Sequence, residues 1–514
     1  MYEYEMLKNL REFANMLTIK AENAKKLVET FKLALEIVDR IRASGSAEAA
    51  GFIAGLEGGY VEPGPSGALT RGKVEVLPTG RNFFAADPTQ IPSPAAWKVG
   101  VESAEKLIEY YRERYGRYPE SVGEVLWSID AYKADGEQLS QILWLMGVQP
   151  LWAEDGSVRG IEVVPLEKLG RPRIDVVVRI SGIVRDTLPN YAYLIDEAVS
   201  KVIALDEPLE MNFVKKHFLE TLEKLKAAGV DKPEERAKAR VYGEPPGAYG
   251  AGVNYAVEAS AWKTDEDLMK VWLQWGSYAY TRRMYGEMNV EAFAVQLSKV
   301  DVINRNHISD EHDIFGCCCY YSFHGGFYNT VKTLTGRSDI AVITVDTRDI
   351  SSIEVRGMEE EIERVVRAKL LNPVWISEMM KHGYRGANEI QRKILHLYGW
   401  SATTKLVDKW VYDELAKTYL LDEKMRKWFI ENNIYALEEI IRRFIEAAQR
   451  GLWKADADVL ERLNEIYNDV EAVLEADVTG EVQGGSIDVY TYTDVPQWGE
   501  AVKRVEEALV KIRK

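Results

Sequence analysis

One stretch of the chain, residues 304–327, concentrates the side chains that could carry chemistry. It contains three of the six histidines, the only three cysteines and three acidic residues, and it ends near a flexible Gly-Gly pair. These side chains are His307, His312, His324, Cys317, Cys318, Cys319, Asp310, Glu311 and Asp313. Imidazole, thiol and carboxylate groups at this density predict a site that moves protons or binds a divalent metal. The alternative is a polar loop whose histidines only form hydrogen bonds.

Two common zinc motifs do not match this stretch. The helix of a zinc protease needs two histidines four residues apart, whereas His307 and His312 are five apart and would be rotated by roughly 140° on a helix. Adjacent cysteines also lack the spacing of a zinc knuckle, because neighbours in an extended chain point to opposite faces. We therefore expect Cys317 to Cys319 to form a buried extended run, with metal ligation by these cysteines as the less favoured alternative.

Composition excludes several classes of protein. The formal net charge of -16 argues against a nucleic-acid-binding surface. No apolar run is long enough to cross a membrane, and the N-terminus does not resemble a signal peptide, so we expect a cytoplasmic protein without membrane association. Three adjacent cysteines cannot build a disulfide framework. The sequence has no phosphate-binding loop, and any ATP used would be hydrolysed by a partner.

The elements that must position the site predict an α/β fold. Strands are expected at 122–129, 174–180 and 340–345, and helices at 95–115, 136–147, 189–205 and 214–227. This alternation predicts parallel-sheet units that bind ligands beyond the carboxyl ends of their strands. At the N-terminus, residues 4–43 predict one long helix that is broken at residues 44–46 and followed by a short helix to about residue 56.

The organisation we predict is multi-domain, with a helical N-terminal segment and a large helical C-terminal part. The six predicted segments are a helical segment (1–57), a Gly/Pro-rich loop or linker (58–94), an α/β domain (95–235), a site-bearing α/β region (236–350), a helical region (351–478) and a strand-helix tail (479–514). Two polar segments, 130–137 and 181–190, follow predicted strands and suit an anionic ligand. Helix capping by Asp135 or Asp186 would explain them equally well.

Several runs in the chain resemble one family. They are Leu-Pro-Thr-Gly-Arg-Asn-Phe-Phe-Ala-Ala-Asp-Pro (77–88), Gly-Arg-Pro-Arg-Ile-Asp-Val-Val-Val (170–178), Glu-Pro-Leu-Glu-Met-Asn-Phe-Val-Lys-Lys-His (207–217), Gly-Ala-Tyr-Gly-Ala-Gly-Val (247–253), Leu-Leu-Asn-Pro-Val-Trp-Ile (370–376), Lys-His-Gly-Tyr-Arg-Gly-Ala (381–387) and Gly-Trp-Ser-Ala-Thr-Thr (399–404). Together they resemble the large subunit of the cobalt and magnesium chelatases, over roughly residues 50–476. The chain departs from the family pattern at Cys317 to Cys319, where acidic residues are usual, and at His324, where a glutamate is usual.

The resemblance implies a function. It implies the large, tetrapyrrole-binding subunit of a chelatase that inserts Co²⁺ into a corrin precursor of the hydrogenobyrinic acid a,c-diamide type. The alternatives are a magnesium chelatase acting on protoporphyrin IX and a non-catalytic tetrapyrrole or metal carrier, or regulatory paralogue. The expected partners are AAA+ ATPase and adaptor subunits that hydrolyse ATP, and a separate N-terminal half of the large subunit.

The chemistry of metal insertion then suggests roles for individual residues. A base must accept ring protons, ligands must replace metal-bound water, and cationic and aromatic groups must hold the ring. We predict His312, Glu311 and Glu258 as catalytic residues and His312, Asp313 and His324 as metal ligands. The predicted substrate-binding residues are Arg171, Arg173, Arg185, Tyr249, Asn254, Tyr320 and Tyr321.

Overall fold

The computed structural model describes residues 21–84, 86–309, 312–476 and 496–513. The chain divides into two compact units, an N-terminal unit of residues 1–87 and a main unit of residues 88–514. Among the described residues, no helix is both long and apolar enough to cross a bilayer.

The N-terminal unit contains one long helix, α1 (Ala21–Leu56), and two short strands, β1 (Pro63–Pro65) and β2 (Asn82–Phe84), which pair in parallel. The predicted break at residues 44–46 is wrong, since α1 runs through it. The hydroxyls of Ser44 and Ser46 bond back to the carbonyls of Arg40 and Ala43, as serines do inside helices. Gly45 costs only about 1 kcal/mol there. Residues 4–20 of the predicted helix lie outside the described residues.

An eight-stranded sheet forms the centre of the main unit. Its strands are β3 (Ser121–Leu126), β6 (Asp175–Ile180), β7 (Val241–Gly243), β8 (Tyr278–Tyr280), β9 (Tyr285–Met288), β10 (Val302–His307), β11 (Ala341–Asp346) and β12 (Glu354–Gly357). They are arranged in the order β12-β11-β10-β3-β6-β7-β8-β9. The five strands from β11 to β7 are parallel, and the other three are antiparallel to their neighbours. Strands β4 (Val148–Trp152) and β5 (Val158–Val163) form a separate antiparallel pair.

Helices cover the sheet and build the C-terminal part. Those between the strands are α2 (Pro94–Tyr115), α3 (Ile129–Ala134), α4 (Glu137–Leu145), α5 (Leu166–Leu169), α6 (Gly182–Thr187), α7 (Pro189–Ile203), α8 (Phe213–Ala227), α9 (Pro233–Lys238), α10 (Val253–Glu258), α11 (Asp265–Gly276), α12 (Val290–Leu297), α13 (Cys318–Tyr320) and α14 (Gly326–Thr335). Those after the sheet are α15 (Met358–Val365), α16 (Pro373–Lys381), α17 (Gly383–Thr404), α18 (Lys409–Leu415), α19 (Glu423–Asn432), α20 (Ile434–Gln449), α21 (Ala457–Ala476) and α22 (Pro496–Arg513). Every residue of β3, β6, β10 and β11 is buried, as expected of parallel strands covered on both faces.

The predicted α/β fold with a helical C-terminal part is confirmed. The predicted strands correspond to β3, β6 and β11, and the last helix corresponds to α22. The boundary predicted at residue 235 instead lies within one sheet, because β6 pairs with β7 and β3 pairs with β10 across it. Buried residues of the sheet and of the C-terminal helices up to Val470 also belong to one hydrophobic core. The strand predicted near residue 480 lies outside the described residues.

Candidate active site at the carboxyl edge of the sheet

The cysteine run begins a helix at the carboxyl edge of the sheet. Strand β10 ends at His307, a loop follows, and α13 starts at Cys318 and continues through a turn of π-helix (Tyr321–Gly325) into α14. Cys317 has an extended backbone and caps the helix, with its sulfur accepting a hydrogen bond of 3.4 Å from the Cys319 N–H. The prediction of a buried extended run is therefore wrong, because only Cys317 is extended and all three cysteines are half-buried.

The change from extended to helical backbone brings the three thiols together. Their sulfur atoms all lie within 4.8 Å of one another. Hydrogen bonds from Cys318 and Cys319 lower the pKa of the Cys317 thiol, and the same contacts raise the pKa values of Cys318 and Cys319. The hydrogen bonds that Cys317 accepts from its two neighbours therefore favour the thiolate form at Cys317 over Cys318 and Cys319.

A half-buried carboxylate, Glu258, lies beside the thiols at the end of α10. Burial raises its pKa, and Cys317 and Glu439 add to this effect through their negative charge. The Tyr321 hydroxyl donates a hydrogen bond of 3.3 Å to Glu258 Oε1. Glu258 thus has the raised pKa and fixed position that a proton acceptor near neutral pH requires.

Two further contacts hold α10 in place. The Asn254 N–H donates to Ser322 Oγ over 3.2 Å, and the Ser322 hydroxyl donates back to Asn254 Oδ1 over 3.2 Å. From helix α20, the buried Arg443 donates to the main-chain carbonyls of Val257 and Glu258. Asn254, predicted to bind substrate, therefore joins α10 to the cysteine-bearing helix in this structure.

An aromatic and cationic stack lies between the cysteine helix and strand β10. The Arg305 guanidinium is 4.2 Å from the ring centroids of both Trp127 and Tyr320. The Tyr320 hydroxyl donates to the main-chain carbonyl of His312 over 2.8 Å. Tyr320 and Tyr321, predicted to lie against a ligand, are both buried, so their faces pack against protein in this structure.

The predicted metal ligands do not converge. Asp313 is buried and forms ion pairs with Lys369 and, at 3.0 Å, with Lys393. Burial would raise its pKa, but the charges of Lys393 and Lys369 outweigh this effect and lower it. The His312 side chain is exposed, and Glu311 lies outside the described residues.

His324 is fully buried away from solvent. Its Nε2 is 3.3 Å from the Ile303 carbonyl, its ring packs edge-on against Trp400, and burial lowers its pKa to about 3. Within the described ranges, Cys317, Cys318 and Cys319 are the one group of three metal-ligating side chains whose atoms converge. The predicted set of His312, Asp313 and His324 is therefore wrong as a joint metal site, because Asp313 is neutralised by lysines and His324 is enclosed.

A glycine-rich loop, residues 244–252, borders the same edge of the sheet. Buried Arg185 donates to the carbonyls of Pro245 and Ala248 at 2.7 and 3.0 Å and pairs with Asp186 at 2.6 Å. The hydroxyl of exposed Tyr249 donates to Asp186 over 2.7 Å. Arg185 therefore orders the loop, and Tyr249 stands exposed on it.

Comparison with known proteins identifies the family. The family model described as CobN/Magnesium Chelatase matches residues 4–460. The chain belongs to the CobN/magnesium chelatase family. The fold described above, with the three cysteines at the carboxyl edge of its sheet, is therefore that of a chelatase-family protein.

Individual relatives in the CobN/magnesium chelatase family include both named branches. The aerobic cobaltochelatase CobN protein of Pseudomonas aeruginosa is 38% identical over 439 residues, which cover 85% of this chain and 35% of the relative. The H component of magnesium chelatase from Chlorobaculum parvum is 38% identical over 435 residues, covering 84% of this chain and 34% of the relative. An uncharacterised Methanocaldococcus jannaschii protein is 47% identical, covering 95% of this chain and 39% of the relative.

A solved structure agrees with these relatives. The catalytic subunit of cobaltochelatase from Mycobacterium tuberculosis superposes with a TM-score of 0.81 at 37% identity, covering 85% of this chain and 37% of that one. The chain therefore spans between a third and two fifths of the length of the CobN and magnesium chelatase relatives it matches.

Two of the predicted substrate-binding arginines lie at the opposite edge of this CobN-family sheet. Arg171 and Arg173 precede β6, whereas the thiols follow β10 in a parallel arrangement. Arg171 pairs with Glu105 at 3.0 Å, and Arg173 pairs with Glu207 at 2.8 Å. Both also donate hydrogen bonds to main-chain carbonyls, and Arg171 lies 5.6 Å from the ring centroid of Trp144. The prediction that they bind substrate at this site is therefore wrong, because both are buried and bonded to the protein.

Sequence reasoning missed His396 on helix α17. Its Nδ1 is 2.6 Å from the Phe315 carbonyl, so Nδ1 carries the hydrogen and donates it. Burial lowers its pKa, and its ring lies 6.1 Å from that of Tyr321. His396 precedes the Gly-Trp-Ser-Ala-Thr-Thr run by one helical turn, which is the signal that could have found it.

Proposed function

We propose that the chain is the tetrapyrrole-binding part of the large subunit of an ATP-dependent metal chelatase. Its reaction is the insertion of Co²⁺ into a corrin precursor of the hydrogenobyrinic acid a,c-diamide type. The observation that carries the proposal is the pairing of Glu258 and Tyr321 beside a cluster of three thiols, in a chain of the CobN/magnesium chelatase family.

Metal insertion requires proton removal. As a dication enters a corrin, bonds from the ring nitrogens to the metal form and the one N–H bond of the neutral ring breaks, so one proton must leave. Glu258 accepts that proton; a porphyrin would release a second one, to solvent. A carboxyl group with a raised pKa is suited to this step, because its carboxylate binds a proton more strongly than an ordinary one does. Tyr321 holds the accepting oxygen in place.

Donor types favour cobalt over magnesium. Thiol and imidazole groups bind late transition metals well, whereas Mg²⁺ prefers oxygen ligands and holds its water tightly. The edge of the sheet offers three thiols, together with exposed His312 on the neighbouring loop. We assign His312 to the first contact with the incoming metal and Tyr249 to the ring, since both side chains are exposed.

Other chains complete the enzyme in this proposal. The matched relatives are about two and a half times as long as this chain, so a further chain or segment supplies the remainder of the large subunit. AAA+ ATPase and adaptor subunits supply the free energy of ATP hydrolysis, since the sequence contains no phosphate-binding loop of its own.

An insertion assay tests the proposal. The chain is combined with ATPase and adaptor subunits and with the missing part of a large subunit, and is given either ring with Co²⁺ or Mg²⁺. We expect ATP-dependent insertion of Co²⁺ into the corrin, and reduced insertion with unchanged ring binding in His312→Ala. Insertion of Mg²⁺ into protoporphyrin alone would overturn the cobalt assignment, and ring binding without any insertion would indicate a carrier.

A further inference from the structure

We propose that Cys317, Cys318 and Cys319 form a three-sulfur site that binds the substrate metal before insertion and selects thiophilic ions against Mg²⁺. The inference deepens the proposed function and rests on it, because the bound metal is a substrate only if the chain is a chelatase. The metal site itself stands on the geometry of the three thiols.

The geometry of the cluster is close to that of a metal site. Sulfurs bound to one tetrahedral ion at about 2.3 Å are about 3.8 Å apart. The three sulfurs here lie within 4.8 Å of one another, so a small inward movement of the sulfurs would give the spacing of a metal site. The helix start fixes this arrangement, because Cys317 is extended, the next residues are helical, and the Cys319 N–H bonds to the Cys317 sulfur.

The cluster also has the accessibility that a transfer site needs. All three cysteines are half-buried rather than enclosed, so an ion can enter and leave. Three protein ligands leave the fourth position of a tetrahedral ion open, as in catalytic zinc sites and unlike closed structural ones. An open position allows a ring nitrogen to bind the ion before the sulfurs release it.

The neighbours of the thiols fit a dication. Cys317 interacts electrostatically with the Glu258 carboxylate and the His396 imidazole, and Cys319 interacts with the Glu244 carboxylate, which is itself paired with buried Arg179. Negative charge around a thiol cluster disfavours a set of free thiolates and favours a bound cation, which neutralises them. Glu258 thereby lies beside both the metal and the ring that receives it.

Cobalt binding to the full chain tests the site without any ring or partner. The reduced protein is titrated anaerobically with Co²⁺ and followed by absorbance. We expect one equivalent to bind with thiolate-to-cobalt charge-transfer bands, competed by Zn²⁺ and unaffected by excess Mg²⁺. Loss of a residue that only orients a ligand costs about 10- to 100-fold in metal affinity, so Cys318→Ser and the triple serine variant should lose at least that much.

Thiol labelling gives a second measurement that needs no variant. The chain has three cysteines in all, so a thiol reagent reports this cluster alone. Co²⁺ should protect all three from labelling, and Mg²⁺ should protect none. The control variant for the cobalt titration is Ser298→Ala, a partly buried serine directly after α12, which should leave cobalt binding unchanged.

The outcomes separate the metal site from the proposed function. A cobalt spectrum that lacks charge-transfer bands, or that is unchanged in the triple serine variant, would overturn the three-sulfur site even if insertion occurs. A disulfide within the cluster that persists under reducing conditions would overturn it too. Tight cobalt binding by the thiols with no binding of either ring, also after addition of the missing part of a large subunit, would support the site and contradict the proposed function.

Discussion

The Tyr321 hydroxyl donates a hydrogen bond to Glu258 Oε1 across 3.3 Å and so joins the cysteine-bearing helix to α10. Tyr321 is fully buried, whereas Glu258 is half-buried, and the bond therefore positions a partly exposed carboxylate from the core. The bond favours the charged form of Glu258, but burial has the larger effect and its pKa is raised. This pair is the proton-accepting element of the proposed reaction.

Replacing Glu258 with glutamine should stop proton acceptance while keeping the shape of the side chain. We expect metal insertion to fall about 100-fold or more, because general bases contribute about 10²- to 10⁴-fold to such rates. Ring binding should be unchanged, as measured by absorbance titration. The matched control is Glu461→Gln, an exposed glutamate on α21, and insertion that is equal in both variants would contradict the role of Glu258.

Adding a methyl group at Gly399 should displace Tyr321. A Cβ at this position would lie 2.5 Å from the Tyr321 ring, closer than real contacts allow. We expect Gly399→Ala to lower the free energy of unfolding by about 1–3 kcal/mol, as overpacked cores do, and to lower insertion as well. Gly45→Ala is the control, since its Cβ meets nothing within 4 Å and should be neutral or stabilising. Equal unfolding free energies for Gly399→Ala and the parent chain would contradict this packing.

Asp313 should be required for stability. Its carboxylate neutralises Lys369 and the buried Lys393, and it also accepts the Phe315 N–H at 2.7 Å. Asp313→Asn leaves two lysines without this charge, and we expect a loss of about 3 kcal/mol in the free energy of unfolding. Denaturant unfolding measures it, with exposed Asp349→Asn as the control. A loss no larger than that of the control would mean that Asp313 is free to act as a metal ligand.

Glu124 should make stability depend on pH. Burial raises its pKa to about 8, although Gln138, Asn304 and Gln141 donate hydrogen bonds that lower it. The folded state then binds a proton that the unfolded state releases, so its contribution to stability is complete at low pH and is lost as pH rises through about 8.

The expected slope is at most about 1.4 kcal/mol per pH unit. Thermal unfolding should show a falling Tm between about pH 6 and pH 8 for the parent chain, and a flatter profile for Glu124→Gln. Exposed Glu102→Gln should keep the parent slope. A parent profile that is already flat in this range would show that Glu124 is ionised when folded.

Several strands and helices could be predicted from the sequence because their formation depends on residues that are close together in the chain. Continuous apolar runs marked β3, β6 and β11, and helical spacing marked α2, α7 and α8. The break predicted at residues 44–46 was wrong because a long helix tolerates glycine and serine when its hydrogen bonds continue.

The site was harder to predict because its partners are distant in sequence. Lys393 reaches Asp313 across 80 positions, and Arg443 reaches the Glu258 carbonyl across 185. Arg171 and Arg173 were predicted to bind the carboxylates of a substrate. The structure shows that both guanidinium groups already bind main-chain carbonyls and protein glutamates. The prediction for the cysteines was wrong for a local reason. The backbone changes from extended at Cys317 to helical at Cys318, so the three side chains do not alternate between opposite faces as they would in a strand.

The central claim is that this chain holds a tetrapyrrole at the edge where Glu258 and the thiols lie. An absorbance and fluorescence titration of the purified chain with metal-free hydrogenobyrinic acid a,c-diamide and with protoporphyrin IX tests it most directly. The proposal predicts tight binding of the corrin and weaker binding of the porphyrin, with Tyr249→Ala weakening the corrin complex. Preference for the porphyrin would contradict the cobalt assignment, and binding of neither ring, also after addition of the missing part of a large subunit, would contradict the proposed function.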